Sequence, residues 1–201
     1  MAKINRKYID KHWVVFIIRS LLAGVFGLLL LFGGAADQTG PGMTGVVTEI
    51  SIFLLLMGIV DSVSALYNSG KKRGWINSVI DAGVDVVAAV ALLFFARGNL
   101  VNSVIVISAY TIISGVIDIF HGFVSTVDPT DRFIRVLAGV CGCVIGVAIF
   151  NAGSFEISTF VRFFGTYMLI VGVTSAIYGI HNRSQNIEDK IARKQARKKK
   201  K

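Results

Sequence analysis

Apolar residues fall in six long blocks along this chain, at about 13–36, 49–67, 75–96, 101–124, 133–152 and 157–180. Each is close to the roughly 20 mostly apolar residues that cross a bilayer as a helix. Buried strands usually run only four to eight residues. Outer-membrane strands alternate apolar and polar positions, and Val14-Val15-Phe16-Ile17-Ile18 and Phe53-Leu54-Leu55-Leu56-Met57 do not alternate. The pattern predicts an all-α, polytopic membrane protein with six transmembrane helices.

The blocks repeat. Ala-Gly-Val occurs at 23–25, 82–84 and 138–140, each time in an odd-numbered span. The even spans carry Gly58-Ile59-Val60-Asp61, Gly115-Val116-Ile117-Asp118 and Gly172-Val173-Thr174-Ser175, with the glycines 57 residues apart both times. A fixed period marks a repeated structural unit. Each unit holds two spans, so every copy enters the membrane in the same direction: three parallel two-helix repeats, at about 13–67, 75–124 and 133–180, related by an axis along the membrane normal. A pseudo-threefold bundle is expected.

Small residues also recur every seven positions in the even spans: Ser51, Gly58 and Ala65, then Ser108, Gly115 and Gly122, then Gly165, Gly172 and Gly179. Seven residues is about two helical turns, so each set shares one face. Gly142 and Gly146 add a small-xxx-small pair in the fifth span. In lipid such faces let backbones approach and dispersion hold them together. They predict a packing seam, either against a neighbouring helix or against a second copy of the chain in a homo-oligomer.

Composition agrees with a bilayer as solvent: 54% of the 201 residues are hydrophobic and 16% charged. The formal net charge of +9 is unevenly placed. Lys3, Arg6, Lys7 and Lys11 precede the first span, Lys71, Lys72 and Arg73 sit in the second connection, and Arg132 and Arg135 close the fourth. Arg183 and a dense basic run follow the sixth, whereas only Arg97 and Arg162 fall on the opposite side. The basic side is normally cytoplasmic, so both ends are expected inside, in a plasma (inner) membrane. The first block is longer than the 7–15-residue core of a signal peptide and takes part in the repeat, so it reads as a span.

Ionisable residues inside the spans are the candidate chemistry. Arg19 is six residues past Trp13 and Asp81 six past Trp75; Asp61 is six before Tyr67 and Asp118 six before Val124. At 1.5 Å per residue all four lie about 9 Å inside the membrane. Asp85 is one turn deeper than Asp81, and Arg135 reads as shallower. A charge in hydrocarbon costs on the order of 3 kcal/mol or more, so these groups should face inward and pair. Arg19 with one carboxylate is the expected ion pair, with Arg135 within reach of Asp118. Acid exceeds base, leaving carboxyls to be protonated, hydrated or paired with a cation. Asp61 and Asp118 are repeat equivalents with Ser175 in the third copy, so a threefold site is broken. His121 and His181 read as solvated boundary residues, with pH sensing as the alternative.

Cys141 and Cys143 point about 200° apart on a helix and cannot clamp one metal alone; they read as small buried hydrophobes. No His/Cys/carboxylate cluster has metal spacing. No phosphate loop or nucleophile motif appears, so no catalytic residues, metal or cofactor are expected.

The transmembrane domain is expected over 13–181, between a short cytoplasmic segment (1–12) and a basic tail (182–201) in which residues 187–193 could form a short helix. Lysines beside an anionic leaflet are worth about 1 kcal/mol each. The bilayer and anionic lipid headgroups are thus the expected partners of the tail, and nucleic acid is not, since aromatic interleaving is missing.

Six spans in three hairpins, each with an early Ala-Gly and, in two copies, a later Gly-Ile/Val-x-Asp, resemble the HdeD-like acid-resistance membrane proteins over about residues 13–181. The resemblance implies a small bacterial inner-membrane protein tied to acid or envelope stress, and no catalytic residues. Two other functions stay open: a proton or small-ion transporter using the intramembrane aspartates, and a scaffold binding partners through the glycine faces and the tail.

Overall fold

A computed structural model describes residues 13–33, 41–68, 75–96, 99–124, 129–152 and 157–198. Among them there are six α-helices and no strand: α1 (Trp13–Phe32), α2 (Pro41–Asn68), α3 (Trp75–Phe95), α4 (Leu100–Val124), α5 (Pro129–Ala152) and α6 (Ile157–Lys198). All six are long and apolar enough to cross a membrane. The segment 1–12 and the basic residues Lys71, Lys72, Arg73 and Arg97 lie outside the described residues.

Three boundaries differ from the hydropathy blocks. Helix α2 begins at Pro41 rather than near 49, and α5 at Pro129 rather than near 133. Proline suits the first helical position, where no N–H is needed and φ is already helical. Asp131 then stands in the first turn of α5, where negative charge complements the helix dipole. Polar starts of this kind do not register as hydrophobic. The tail does not break into a separate short helix either: α6 runs without interruption to Lys198. At α4 the start is capped, with Asn99 Oδ1 accepting from the backbone N–H of Val101 (3.0 Å) and Asn102 (3.3 Å).

The helices close into a ring. The most extensive packing joins each even helix to the odd helix of the next repeat, α2 with α3, α4 with α5, and α6 with α1, while the two helices of one hairpin touch less. The repeat explains why. All nine small residues of the seven-residue stripes are buried. A Cβ added to Gly58 would meet Val86 and Ala82 of α3; one on Gly115 would meet Gly139 and Cys143 of α5; one on Gly172 would meet Gly24 and Ser20 of α1. The seam predicted from the stripes therefore lies between neighbouring helices of one chain. Gly142 and Gly146 serve the α5 side of it, against Thr111 and Ile112 of α4.

The core shows the same period. Positions 57 apart on α2, α4 and α6 are buried together: Val47, Val104 and Val161; Ile50, Ile107 and Phe164; Phe53, Tyr110 and Tyr167; Leu54, Thr111 and Met168. The even helices thus line the axis, with aromatic contacts where the rings meet, such as Tyr110 and Tyr167 at 6.3 Å. Large apolar side chains such as Leu21, Val87, Phe94 and Phe123 are exposed around the outside, as they should be where lipid rather than water surrounds the bundle.

Candidate functional site

The polar layer forms where helices α1, α3 and α5 begin and α2, α4 and α6 come to the end of their apolar stretches. Because α5 starts at Pro129, Arg135 is six residues into its helix, as Arg19 and Asp81 are into theirs. The expectation that Arg135 is shallow is thereby corrected: it shares the depth of the others.

Arg19 is the hub. Its Nη1 donates to Asp61 Oδ2 at 2.9 Å and lies 4.0 Å from Asp81 Oδ2, joining α1 to α2 and α3. Asp81 Oδ1 in turn is 3.9 Å from His121 Nδ1 on α4. His121 is not the solvated boundary residue expected: it is 2% exposed, tucked under the layer because its repeat position falls on the same inner face as Ser64 and Tyr178. His181, by contrast, is partly exposed, with Nε2 4.0 Å from Asp131 Oδ1.

One turn deeper, Asp85 is 3% exposed. Its Oδ1 accepts from the Tyr110 hydroxyl at 2.9 Å, while its Oδ2 is buried without a hydrogen-bond partner. The Asp61 carboxyl lies beside it. Tyr110 did not stand out in the sequence, although its 57-residue spacing from Phe53 and Tyr167 marks it as an axial position.

Arg135, read as within reach of Asp118, shares a cavity with it but forms no ion pair with it within 4.0 Å. Asp118 makes no hydrogen bond and no ion pair within 4.0 Å among the described residues, and the Arg135 guanidinium instead lies over the Tyr178 ring, 5.1 Å from its centroid. An aromatic face attracts a cation through its quadrupole, more strongly where water is excluded. The two residues nevertheless share a cavity of about 40 Å³, whose wall also includes Arg19, Asp81, Ser175 and Tyr178. Arg19, Asp61, Asp81, Asp118 and Arg135 are thus gathered at one level with Asp85 one turn deeper, as a chain of contacts plus a cavity and not as a set of pairs. Cys141 and Cys143 are free, and among the described residues no three His, Cys, Asp or Glu are grouped to hold a metal ion.

The fold and this layer define a multi-pass membrane protein built from three parallel helical hairpins with a buried, acid-rich layer near one end. A family model described as a short repeat of unknown function (DUF308) matches residues 80–151 and again 137–192. The chain belongs to this family, which includes the HdeD-like membrane proteins. The two matches begin 57 residues apart, the period of the patterned glycines. They cover the second and third hairpins; α1 and α2 lie outside them, yet carry the same glycine register and the same seam. No curated protein and no solved structure matches the chain.

Proposed function

We propose that this is a non-enzymatic protein of a bacterial inner membrane, with both termini cytoplasmic, that contributes to tolerance of acid or envelope stress through its carboxyl layer. The observation that carries the reading is the imbalance of that layer: four aspartates meet two arginines within about one helical turn of depth, and among the described residues two of the four, Asp85 and Asp118, have no cation within 4.0 Å. Charges held in hydrocarbon are costly and are retained where they serve a purpose. An excess of carboxyls next to the aqueous boundary changes charge as that compartment acidifies, and the helices meeting there all feel the change. The basic tail is read as resting its positive charge near anionic headgroups.

The test is survival. A host strain lacking its own copy is challenged with acid after complementation with wild type, Asp61→Asn or Asp118→Asn. Wild type restores survival and Asp118→Asn does not. Equal survival of the uncomplemented and complemented strains would sink the reading.

A second reading, proton or ion transport, draws on the cavity beside Asp118. Proton flux into liposomes separates the two. The stress reading expects flux at the empty-liposome level for wild type, Asp61→Asn and Asp118→Asn alike; carboxyl-dependent flux favours transport. Scaffolding through the glycine faces has less support, because all nine stripe residues are already buried inside one chain.

A further inference from the structure

Asp61, Asp118 and Ser175 occupy the same position in the three repeats, yet their surroundings differ. Asp61 is 4% exposed and hydrogen-bonded to Arg19. Asp118 is only partly buried, has no hydrogen-bonded or ion-paired partner among the described residues, and lines the cavity. Ser175 lines the same cavity from α6, where a shorter side chain replaces the third carboxyl. A cavity of about 40 Å³ has room for about two or three waters, and its walls supply the polar partners that ordered water needs. Farther along the axis the path is filled: Ile50, Ile107 and Phe164 are fully buried, and Val47, Val104 and Val161 close the layer beyond them.

We propose that this cavity is a hydrated vestibule reached from the end of the bundle that carries the chain termini, and that Asp118 is its proton-exchanging carboxyl, whereas Asp61 is a fixed structural partner of Arg19. This rests on the stress reading above and assigns its working residue. The exchange is simple in balance: a hydronium in the vestibule gives a proton to an Asp118 carboxylate oxygen and leaves as water. The ionisable groups around Asp118 are Arg19 on α1, Asp81 on α3, His121 on its own helix, Arg135 on α5, and Tyr167 and Tyr178 on α6. Two arginines face two acids in the cavity wall, so Asp118 gains or loses its proton beside fixed positive charge without emptying the layer of charge. The duplicated carboxyl has divided its work: one copy holds helices together, the other meets water.

Wild-type protein in sealed membrane vesicles is treated with a water-soluble carbodiimide and an amine nucleophile, and its peptides are read by mass spectrometry. Asp118 acquires the amide and Asp61 stays unmodified. Loss of labelling at Asp118, or equal labelling of Asp61, overturns the assignment. As a second measurement, Ser175→Cys in a Cys141→Ser/Cys143→Ser background is exposed to a charged, membrane-impermeant thiol reagent in vesicles of each orientation. Modification occurs only from the side on which protease removes the C-terminal tail; modification from both sides or from neither overturns the vestibule. Both experiments read accessibility and not survival, so failure of the stress assay leaves this assignment to stand or fall by itself.

Discussion

Arg19 touches carboxylates on two different helices, Asp61 at 2.9 Å and Asp81 at 4.0 Å. Removing one partner of a buried pair leaves an uncompensated charge, at a cost of about 3–5 kcal/mol. Arg19→Ala is therefore expected to lower the thermal midpoint in detergent sharply, and Arg19→Ala/Asp61→Asn to recover part of the loss, as a double-mutant cycle would measure. Asp118→Asn, which breaks no ion pair, leaves the midpoint almost unchanged. Tyr110→Phe strips Asp85 of the one donor bonded to it among the described residues and is expected to cost about 1–3 kcal/mol in the same assay. The sequence reveals much of this layer, because counting residues inward from the span ends puts Arg19, Asp61, Asp81 and Asp118 at matching depths. It does not reveal which charges pair. That depends on how far each helix is turned about its axis, which apolar blocks leave open. Arg135 over Tyr178 and His121 under Asp81 follow from that rotation.

At the scale of the helix, the Ala-Gly-Val motif recurs three times but does not do one job. A Cβ on Gly139 would run into the backbone oxygen of Gly115, whereas one on Gly83 would meet nothing within 4 Å. Gly139→Ala is expected to destabilise by about 1–3 kcal/mol through overpacking. Gly83→Ala, in an exposed helical position, is expected to stabilise by up to about 1 kcal/mol from helix propensity alone. Opposite shifts of the unfolding midpoint would bear this out; equal shifts would contradict the seam. The motif is legible in the chain and its division of labour is not, since the α2–α3 seam is set by Gly58 approaching Ala82, Asp85 and Val86 instead. The starts of α2 and α5 were hidden for a related reason: each helix begins at a proline, Pro41 or Pro129, ahead of its apolar block, where hydropathy gives no signal.

At the scale of the molecule, the repeat becomes a ring because each hairpin offers its glycine face forward to the next. The third hairpin has no fourth to receive it, so α6 returns to α1. Gly165 meets Gly27, Gly172 meets Gly24, and Gly179 meets Ile17 in antiparallel order, and the Phe16 and Tyr178 rings lie 4.6 Å apart near the end that holds the polar layer. The three seams and the shared axial core were foreshadowed by the 57-residue period; that the last seam closes within the chain, and not onto a second copy, required the structure. Ring closure also shapes the vestibule, since Arg19 on α1 and Ser175 on α6 meet in its wall only when those helices pack together. The most direct measurement is cross-linking of Phe16→Cys/Tyr178→Cys in the cysteine-free background with a short bismaleimide in membranes. The closed ring predicts a bridged species of monomer mass in which α1 and α6 peptides are joined; a cross-linked dimer, or no bridge at all, would contradict it.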